Sequence, residues 1–146
     1  MSAISILVVE DDRDIRELIT FILQIENFDV QSAADGREAI RILDQYTPNV
    51  LVTDLNMPHV SGIELIEHVR HNTSNPDLPI IVMTAFCGKP VDEAQSAGAS
   101  IVLQKPVDHE MLLASIKWLT SEALPSPSNV YHAADIDCMI PAAMPL

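Results

Sequence analysis

The sequence predicts an α/β fold in which a parallel β-sheet carries helices on both faces. Short apolar segments alternate five times with amphipathic helical patterns along the 146 residues. The central segment, Val50–Thr53, is apolar or β-branched at every position, which is typical of a strand buried on both faces. Strands that alternate with helices pair in parallel through right-handed crossovers, so one doubly wound domain is expected.

Five short apolar runs are the expected strands: Ile4–Val9, Phe28–Ala33, the Val50 run, Pro79–Met83 and Ile101–Leu103. After the first strand, apolar residues recur at the spacing of a helix with one apolar face: Ile15, Leu18, Ile19, Ile22 and Leu23. A helix is therefore expected from about Asp12, its N-cap, to Glu26.

Four further helices are expected between or after the remaining strands. The second follows the Asp35-Gly36 turn, has apolar residues up to Tyr46 and is closed by Pro48. The third opens at Ser61-Gly62, and the fourth covers about Lys89–Ala97 with Gly98 as its C-cap. Asp108 is expected to cap the last helix, which extends to about Ala123.

The composition excludes several classes of function. The net charge is −13 and there is no Lys/Arg-rich run, so binding to nucleic acid or to anionic lipid by bulk electrostatics is not expected. No apolar run is long enough to span a bilayer, and no signal peptide is visible, so a cytoplasmic location is expected. Cys87 and Cys138 have no metal-binding or redox spacing.

Polar residues follow four of the expected strands. They are Glu10 and Asp11, Asp54, Thr84, and Lys105. Because ligands bind at the carboxyl edge of parallel sheets, these side chains can converge. Each has an ordinary explanation alone, such as helix capping or a surface lysine, but the combination is an improbable coincidence.

Three carboxylates at close range repel one another, and hard oxygen ligands favour Mg²⁺ as their counter-ion. An aspartate beside Mg²⁺ can attack phosphorus and form an acyl phosphate. The Lys105 ammonium and the Thr84 hydroxyl could then donate to the phosphoryl oxygens.

The sequence resembles the receiver domains of two-component response regulators. Four motifs carry the resemblance, from about Ile4 to Ala123: Ile6-Leu7-Val8-Val9-Glu10-Asp11, Asp54-Leu55-Asn56-Met57-Pro58, Met83-Thr84-Ala85 and Lys105-Pro106. The resemblance implies a flavodoxin-like sheet of five parallel strands in the order 2-1-3-4-5 with five flanking helices. It also implies a cis peptide bond between Lys105 and Pro106.

The resemblance further implies roles for the polar residues. Asp54 would accept a phosphoryl group from a histidine kinase or a histidine phosphotransfer protein. Asp11, Asp54 and the backbone carbonyl of Asn56 would hold Mg²⁺, with Glu10 assisting through water. Thr84 and Lys105 would contact the phosphoryl oxygens.

Three positions bear on how such a protein would work. Val102 and Val107 stand where the family often has aromatic residues, and a valine cannot act as a rotamer switch. Phe86 is expected to border the path of an attacking water and to slow the loss of the phosphoryl group.

The leading interpretation is a signalling switch that acts by protein–protein contact on an unknown downstream target. It would not be an enzyme beyond Mg²⁺-dependent phosphorylation and dephosphorylation of its own Asp54. One alternative is a phosphatase with an aspartyl-phosphate intermediate, which Asn56 disfavours because an amide cannot serve as the second acid. The other is a receiver-like assembly protein that phosphorylation does not control.

The expected domain comprises residues 1–123, and residues 124–146 form a proline-containing tail that is not a separate domain. The tail holds apolar residues, which are costly to leave in water. It is expected either to pack on the last helix of its own chain, to pack on a neighbour in a homodimer, or to remain flexible. Docking on the face of the fourth and fifth helices would compete with a partner.

Overall fold

The computed structural model describes residues 3–85 and 88–120. Its single sheet consists of five parallel strands in the order β2-β1-β3-β4-β5. The strands are β1 (Ser5–Val9), β2 (Asp29–Ala33), β3 (Val50–Asp54), β4 (Ile80–Thr84) and β5 (Ile101–Gln104). The predicted strand number and strand order are therefore confirmed.

Five helices connect and follow the strands, as predicted. They are α1 (Arg13–Ile25), α2 (Gly36–Leu43), α3 (Gly62–Asn72), α4 (Lys89–Ala97) and α5 (His109–Thr120). None of the helices in the described part of the chain is long and apolar enough to cross a lipid bilayer. The predicted end of α5 at Ala123 and the predicted tail lie outside the described residues.

Local sequence signals explain where most helices begin and end. The Asp12 and Asp35 side chains accept hydrogen bonds from backbone N–H groups of the first turns of α1 and α2. Ser61 and Glu64 form a reciprocal capping box at the start of α3. Gly98 ends α4 with φ of 119°, a left-handed conformation that glycine adopts without strain.

The sheet separates two apolar cores. One core lies under α2, α3 and α4 and includes Leu51 and Val82 of the sheet. The other lies under α1 and α5 and includes Val52 and Met83. Because β3 is buried along its whole length, the apolar pattern of the central segment correctly predicted a strand covered on both faces. Strand β4 is buried along its whole length as well.

Helix α2 is shorter than predicted. The sequence pattern extended it to Tyr46, but it ends at Leu43. The Gln45 N–H donates to the Ile42 carbonyl three residues back, which tightens the last turn. Pro48 disfavours a helical conformation at the residue before it, so the chain must leave the helix earlier than its apolar spacing indicates.

The burial of α1 also differs from the prediction. The sequence predicts an amphipathic helix with five apolar residues on one face, yet only Ile19 and Leu23 of these five are buried. Ile15 and Leu18 are exposed to solvent. The core covers only one edge of the apolar arc, because α1 packs on β1 and β2 at one side of the sheet, with α5 beside it.

Arg70 of α3 joins three segments at the amino edge of the sheet. Its guanidinium donates to the carbonyls of Pro76 (2.7 Å), Leu78 (2.7 Å) and Gly98 (2.7 and 3.2 Å). Burial lowers the pKa of Arg70 from its ordinary value, although the charge of Asp77 opposes this effect. The contacts fasten the end of α4 to the loop that leads into β4.

Candidate functional site

The carboxyl edge of the sheet brings the predicted polar residues to neighbouring positions. Glu10 follows β1, Asp54 is the last residue of β3, Thr84 is the last residue of β4, and Lys105 follows β5. Glu10, Asp54 and Thr84 are all buried. Since β1, β3, β4 and β5 are adjacent in that order, four strand ends converge on one site.

Lys105 forms ion pairs with two of the carboxylates. Its Nζ lies 2.8 Å from Glu10 Oε1 and 3.0 Å from Asp54 Oδ2. The residues are 95 and 51 positions apart in the sequence, respectively. A single ammonium therefore links β1, β3 and β5 at the carboxyl edge.

The Asp54 carboxylate is held by its own loop. Its Oδ1 accepts a hydrogen bond from the Leu55 N–H at 2.7 Å, and the Asn56 N–H lies at 3.4 Å. The turn closes through a hydrogen bond from the Gly62 N–H to the Leu55 carbonyl. A Cβ at Gly62 would lie 2.3 Å from the Asp54 carbonyl oxygen, so this close approach requires glycine.

Glu10, Asp11 and Asp54 form an acidic group that could bind a metal ion. One oxygen from each of these residues lies within 4.8 Å of the others. Glu10 Oε2 is buried and has no hydrogen-bond partner among the described residues. Carboxylate oxygens are the ligands of hard divalent cations, so the donor set and the unpaired oxygen both fit such an ion.

The electrostatics of the site reflect burial and close pairing. Burial, with the neighbouring Asp54, raises the pKa of Glu10 to about 7, although Lys105 acts in the opposite direction. Burial alone would lower the pKa of Lys105. Its hydrogen bonds and charge interactions with Glu10 and Asp54 outweigh burial, so the pKa of Lys105 is raised.

A comparison with protein families bears directly on this arrangement. Residues 6–117 match the family model described as the response regulator receiver domain. The match includes all five strands, apart from Ser5 of β1, and all the polar residues of the carboxyl edge. The chain belongs to the response regulator receiver family.

Several relatives of this receiver domain are known by sequence. An uncharacterized 14.6 kDa protein in the sodA1 3′ region of Leptolyngbya boryana is 38% identical over 111 residues, which are 74% of this chain and 83% of that protein. RpaA, a DNA-binding dual master transcriptional regulator of Synechocystis, is 31% identical over 88% of this chain and 54% of its own length. The response regulator MprA of Mycolicibacterium vanbaalenii is 37% identical over 90% of this chain and 56% of its own length. The chain thus spans about half the length of these two regulators.

Solved structures show the same likeness. The chemotaxis response regulator CheY4 of Vibrio cholerae superposes with a TM-score of 0.75 at 29% identity, covering 81% of this chain and 99% of CheY4. A response regulator receiver protein from Pseudomonas putida gives a TM-score of 0.75 at 28% identity, covering 80% and 98%. Both likenesses agree with the five-stranded sheet found here.

The remaining predicted residues of the receiver domain lie around the same edge. The Thr84 carbonyl accepts a hydrogen bond from the Lys105 N–H at 2.7 Å. Asn56 is exposed and borders a cavity of about 220 Å³ together with Pro90 and Glu93. The Lys105–Pro106 peptide bond is cis, as predicted. Phe86 lies outside the described residues.

Two contacts at the site were not predicted from the sequence. The Leu55 N–H holds Asp54 Oδ1, and the Arg16 guanidinium donates to the Glu10 carbonyl at 2.8 Å. An aspartate at a strand end often accepts from the backbone just after it, so the first contact had a local signal. The second had none, because it depends on how α1 packs beside β1.

Proposed function

We propose that this receiver domain is a phosphorylation-controlled switch in which Asp54 accepts a phosphoryl group from a phosphohistidine. The donor would be a histidine kinase or a histidine phosphotransfer protein. The observation that carries the proposal is the position of Lys105, whose Nζ lies 3.0 Å from Asp54 Oδ2. A buried carboxylate beside a fixed ammonium is suited to a reaction that adds negative charge there.

The transfer would replace one bond to phosphorus by another. A carboxylate oxygen of Asp54 attacks the phosphorus atom, the P–N bond to the donor imidazole breaks, and the electron pair of that bond remains with the imidazole. The product is an acyl phosphate on Asp54. Lys105 and the Thr84 hydroxyl, at the end of the adjacent strand, would then donate to the phosphoryl oxygens.

The acidic group would hold Mg²⁺ during this reaction. Asp11, Asp54 and the backbone carbonyl of Asn56 would be its ligands, and Glu10 would assist through water. When bound, Mg²⁺ neutralises negative charge on the carboxylates and on the phosphoryl oxygens. Glu10, whose pKa of about 7 reflects burial without an adequate counter-charge, would be ionised more easily beside the cation.

A downstream protein would recognise the phosphorylated state through the surface of this domain. Val102 is half-buried and packs against the core under α2, α3 and α4. An aliphatic side chain in that position cannot exchange between buried and exposed ring positions, so another part of the surface must report the change. The downstream target would be a protein, and a homodimer is a second form that such recognition could take.

Mass spectrometry tests the proposal on the intact chain. We expect incubation with acetyl phosphate and Mg²⁺ to add one phosphoryl group, and Asp54→Asn to abolish the adduct. Asp29→Asn is the matched control, because Asp29 is an exposed aspartate at the opposite edge of the sheet. An adduct that persists in Asp54→Asn, or its absence in the native chain with Mg²⁺ present, would contradict the proposal.

A further inference from the structure

Helix α1 presents an apolar surface to solvent. Among the described residues, four large hydrophobic side chains are exposed, and all four belong to this helix: Ile15 (36%), Leu18 (57%), Phe21 (60%) and Ile25 (60%). Their spacing of three, three and four residues places them along one side of the helix. These four residues are called the α1 stripe below.

The α1 stripe takes no part in the proposed phosphorylation site. None of its residues contributes to the acidic group or to the ion pairs of Lys105. Single exposed apolar residues are normal on a protein surface, but a continuous row on one helix marks a surface that another segment or another molecule contacts. The question is therefore which segment lies on it.

The position of α5 favours the segment that follows it, residues 121–146, as the occupant of the stripe. Lys117 of α5 forms an ion pair with Glu26, the residue after α1, at 4.0 Å. Thr120, the last residue of α5, comes less than one turn later. The C-terminal end of α5 therefore lies beside the Ile25 end of the α1 stripe.

The length and composition of residues 121–146 suit this surface. The α1 stripe extends from Ile15 to Ile25, a rise of ten residue steps or about 15 Å. An extended chain covers that distance with about five residues. The segment contains eight large apolar residues: Leu124, Val130, Tyr131, Ile136, Met139, Ile140, Met144 and Leu146.

Charge disfavours a second copy of the chain as the occupant. Two copies would each bring a net charge of −13 to the contact, whereas residues 121–146 contain only three acidic residues. The segment is also joined to α5, whose end lies beside α1, so its effective concentration at the stripe is high without any association between chains.

We propose that residues 121–146 cover the α1 stripe of their own chain. This inference goes beyond the proposed phosphorylation and does not rest on it. The covered surface adjoins the functional edge, because α1 starts three residues after Glu10 and Arg16 donates to the Glu10 carbonyl. The segment therefore covers the flank of the domain from which a protein could reach Asp54 along α1.

Hydrogen exchange on the full chain tests the contact from the side of the α1 stripe. We expect backbone amides of residues 130–146 to be protected in the native protein. The double substitution Leu18→Ser and Phe21→Ser should accelerate their exchange at least tenfold. Gln24→Ser is the control, because Gln24 is an exposed residue of the same helix outside the stripe. Unchanged protection in the β3 and β4 amides would show that each variant is folded.

Hydroxyl-radical footprinting tests the contact from the other side. Oxidation of Phe21 should be slow in the native chain and should increase at least threefold in Met139→Ser with Ile140→Ser. The proposal is overturned if residues 130–146 exchange freely in the native chain or keep their protection in the stripe variant. It is also overturned if the protection of either surface depends on protein concentration, because the occupant would then be a second copy.

Discussion

The two edges of the β-sheet satisfy their polar groups in different ways. At the amino edge, Ser5 and Asn49 exchange hydrogen bonds of 2.8 to 3.1 Å between neutral groups, and the Ser100 hydroxyl accepts from the Ile80 N–H. At the carboxyl edge, Lys105 is shared between two carboxylates, and Glu10 Oε2 has no partner among the described residues. The amino edge is arranged for stability, whereas the carboxyl edge retains unbalanced charge that a bound cation and a phosphoryl group would use.

The largest expected effect is the loss of phosphorylation rate when Asp11, the exposed acid of the carboxyl edge, is replaced. Asp11→Ala removes one of the three carboxylates proposed to surround the metal ion, so phosphorylation by acetyl phosphate should slow by about 100-fold or more, the size of effect expected when an electrostatic contribution to catalysis is lost. The rate of adduct formation by mass spectrometry measures this effect. Asp14→Ala, an exposed acid in the first turn of α1, is the control. Phosphorylation of Asp11→Ala at the native rate would refute the role assigned to Asp11.

Lys105→Ala should separate metal binding from the phosphorylated state. Removal of a cation beside two carboxylates should leave Mg²⁺ affinity unchanged or increased, while the phosphorylated state loses a donor to its oxygens and forms at least tenfold more slowly. Calorimetric titration with Mg²⁺ and the phosphorylation rate provide the two measurements. A Lys105→Ala variant that lost Mg²⁺ affinity and still became phosphorylated normally would contradict the role assigned to Lys105.

Glu10→Gln should stabilise the metal-free protein at alkaline pH. The pKa of Glu10 is about 7 in the folded protein against an ordinary 4.5, so the folded state binds this proton more tightly than the unfolded state. The resulting contribution to stability is complete below about pH 4.5 and is lost as the pH rises through 7. At pH 8 the variant should therefore gain about 2–3 kcal/mol in free energy of unfolding, since a tenfold change in proton affinity corresponds to about 1.4 kcal/mol.

Urea unfolding in EDTA at pH 5.5 and pH 8 measures this effect. The advantage of Glu10→Gln should shrink at the lower pH, because native Glu10 is then mostly protonated. An advantage of equal size at both pH values would show that the gain comes from packing instead of charge.

The smallest expected effect is a change in the free energy of unfolding from a substitution at the amino edge. Asn49→Ala removes the acceptor of the Ser5 N–H and hydroxyl, and should lower the free energy of unfolding by about 1 kcal/mol, the usual contribution of such a hydrogen bond. Chemical denaturation measures the loss. The phosphorylation rate should not change, and a change would show that the two edges are not independent.

The alternation of apolar runs and helical patterns was sufficient to predict the sheet and its five helices. It also predicted that Asp54 and Lys105 would meet, because residues at the carboxyl ends of neighbouring parallel strands must converge. The strand order required the family resemblance, since the pattern of elements alone allows several orders.

Other features depend on tertiary packing and could not be predicted from periodicity. Leu18 and Ile19 both belong to the apolar face that the sequence predicts for α1, yet only Ile19 reaches the core. The complete burial of Glu10 depends on the surroundings of the end of β1, which the sequence pattern does not describe. The carbonyl contacts of Arg70 link residues up to 28 positions apart and have no local signal.

The contacts of Arg70 have a mechanical consequence for α4. The Gly98 carbonyl at the C-terminal end of α4 accepts two hydrogen bonds from this guanidinium, whereas no side chain in the described part of the chain caps the end at Gly88. Pro90 and Glu93, near the uncapped end, border the same cavity as Asn56. A displacement of the Asn56 loop towards this cavity would therefore rotate α4 about its fixed end at Gly98. For a helix of nine residues, a rotation of about 10° would move the far end by about 2 Å.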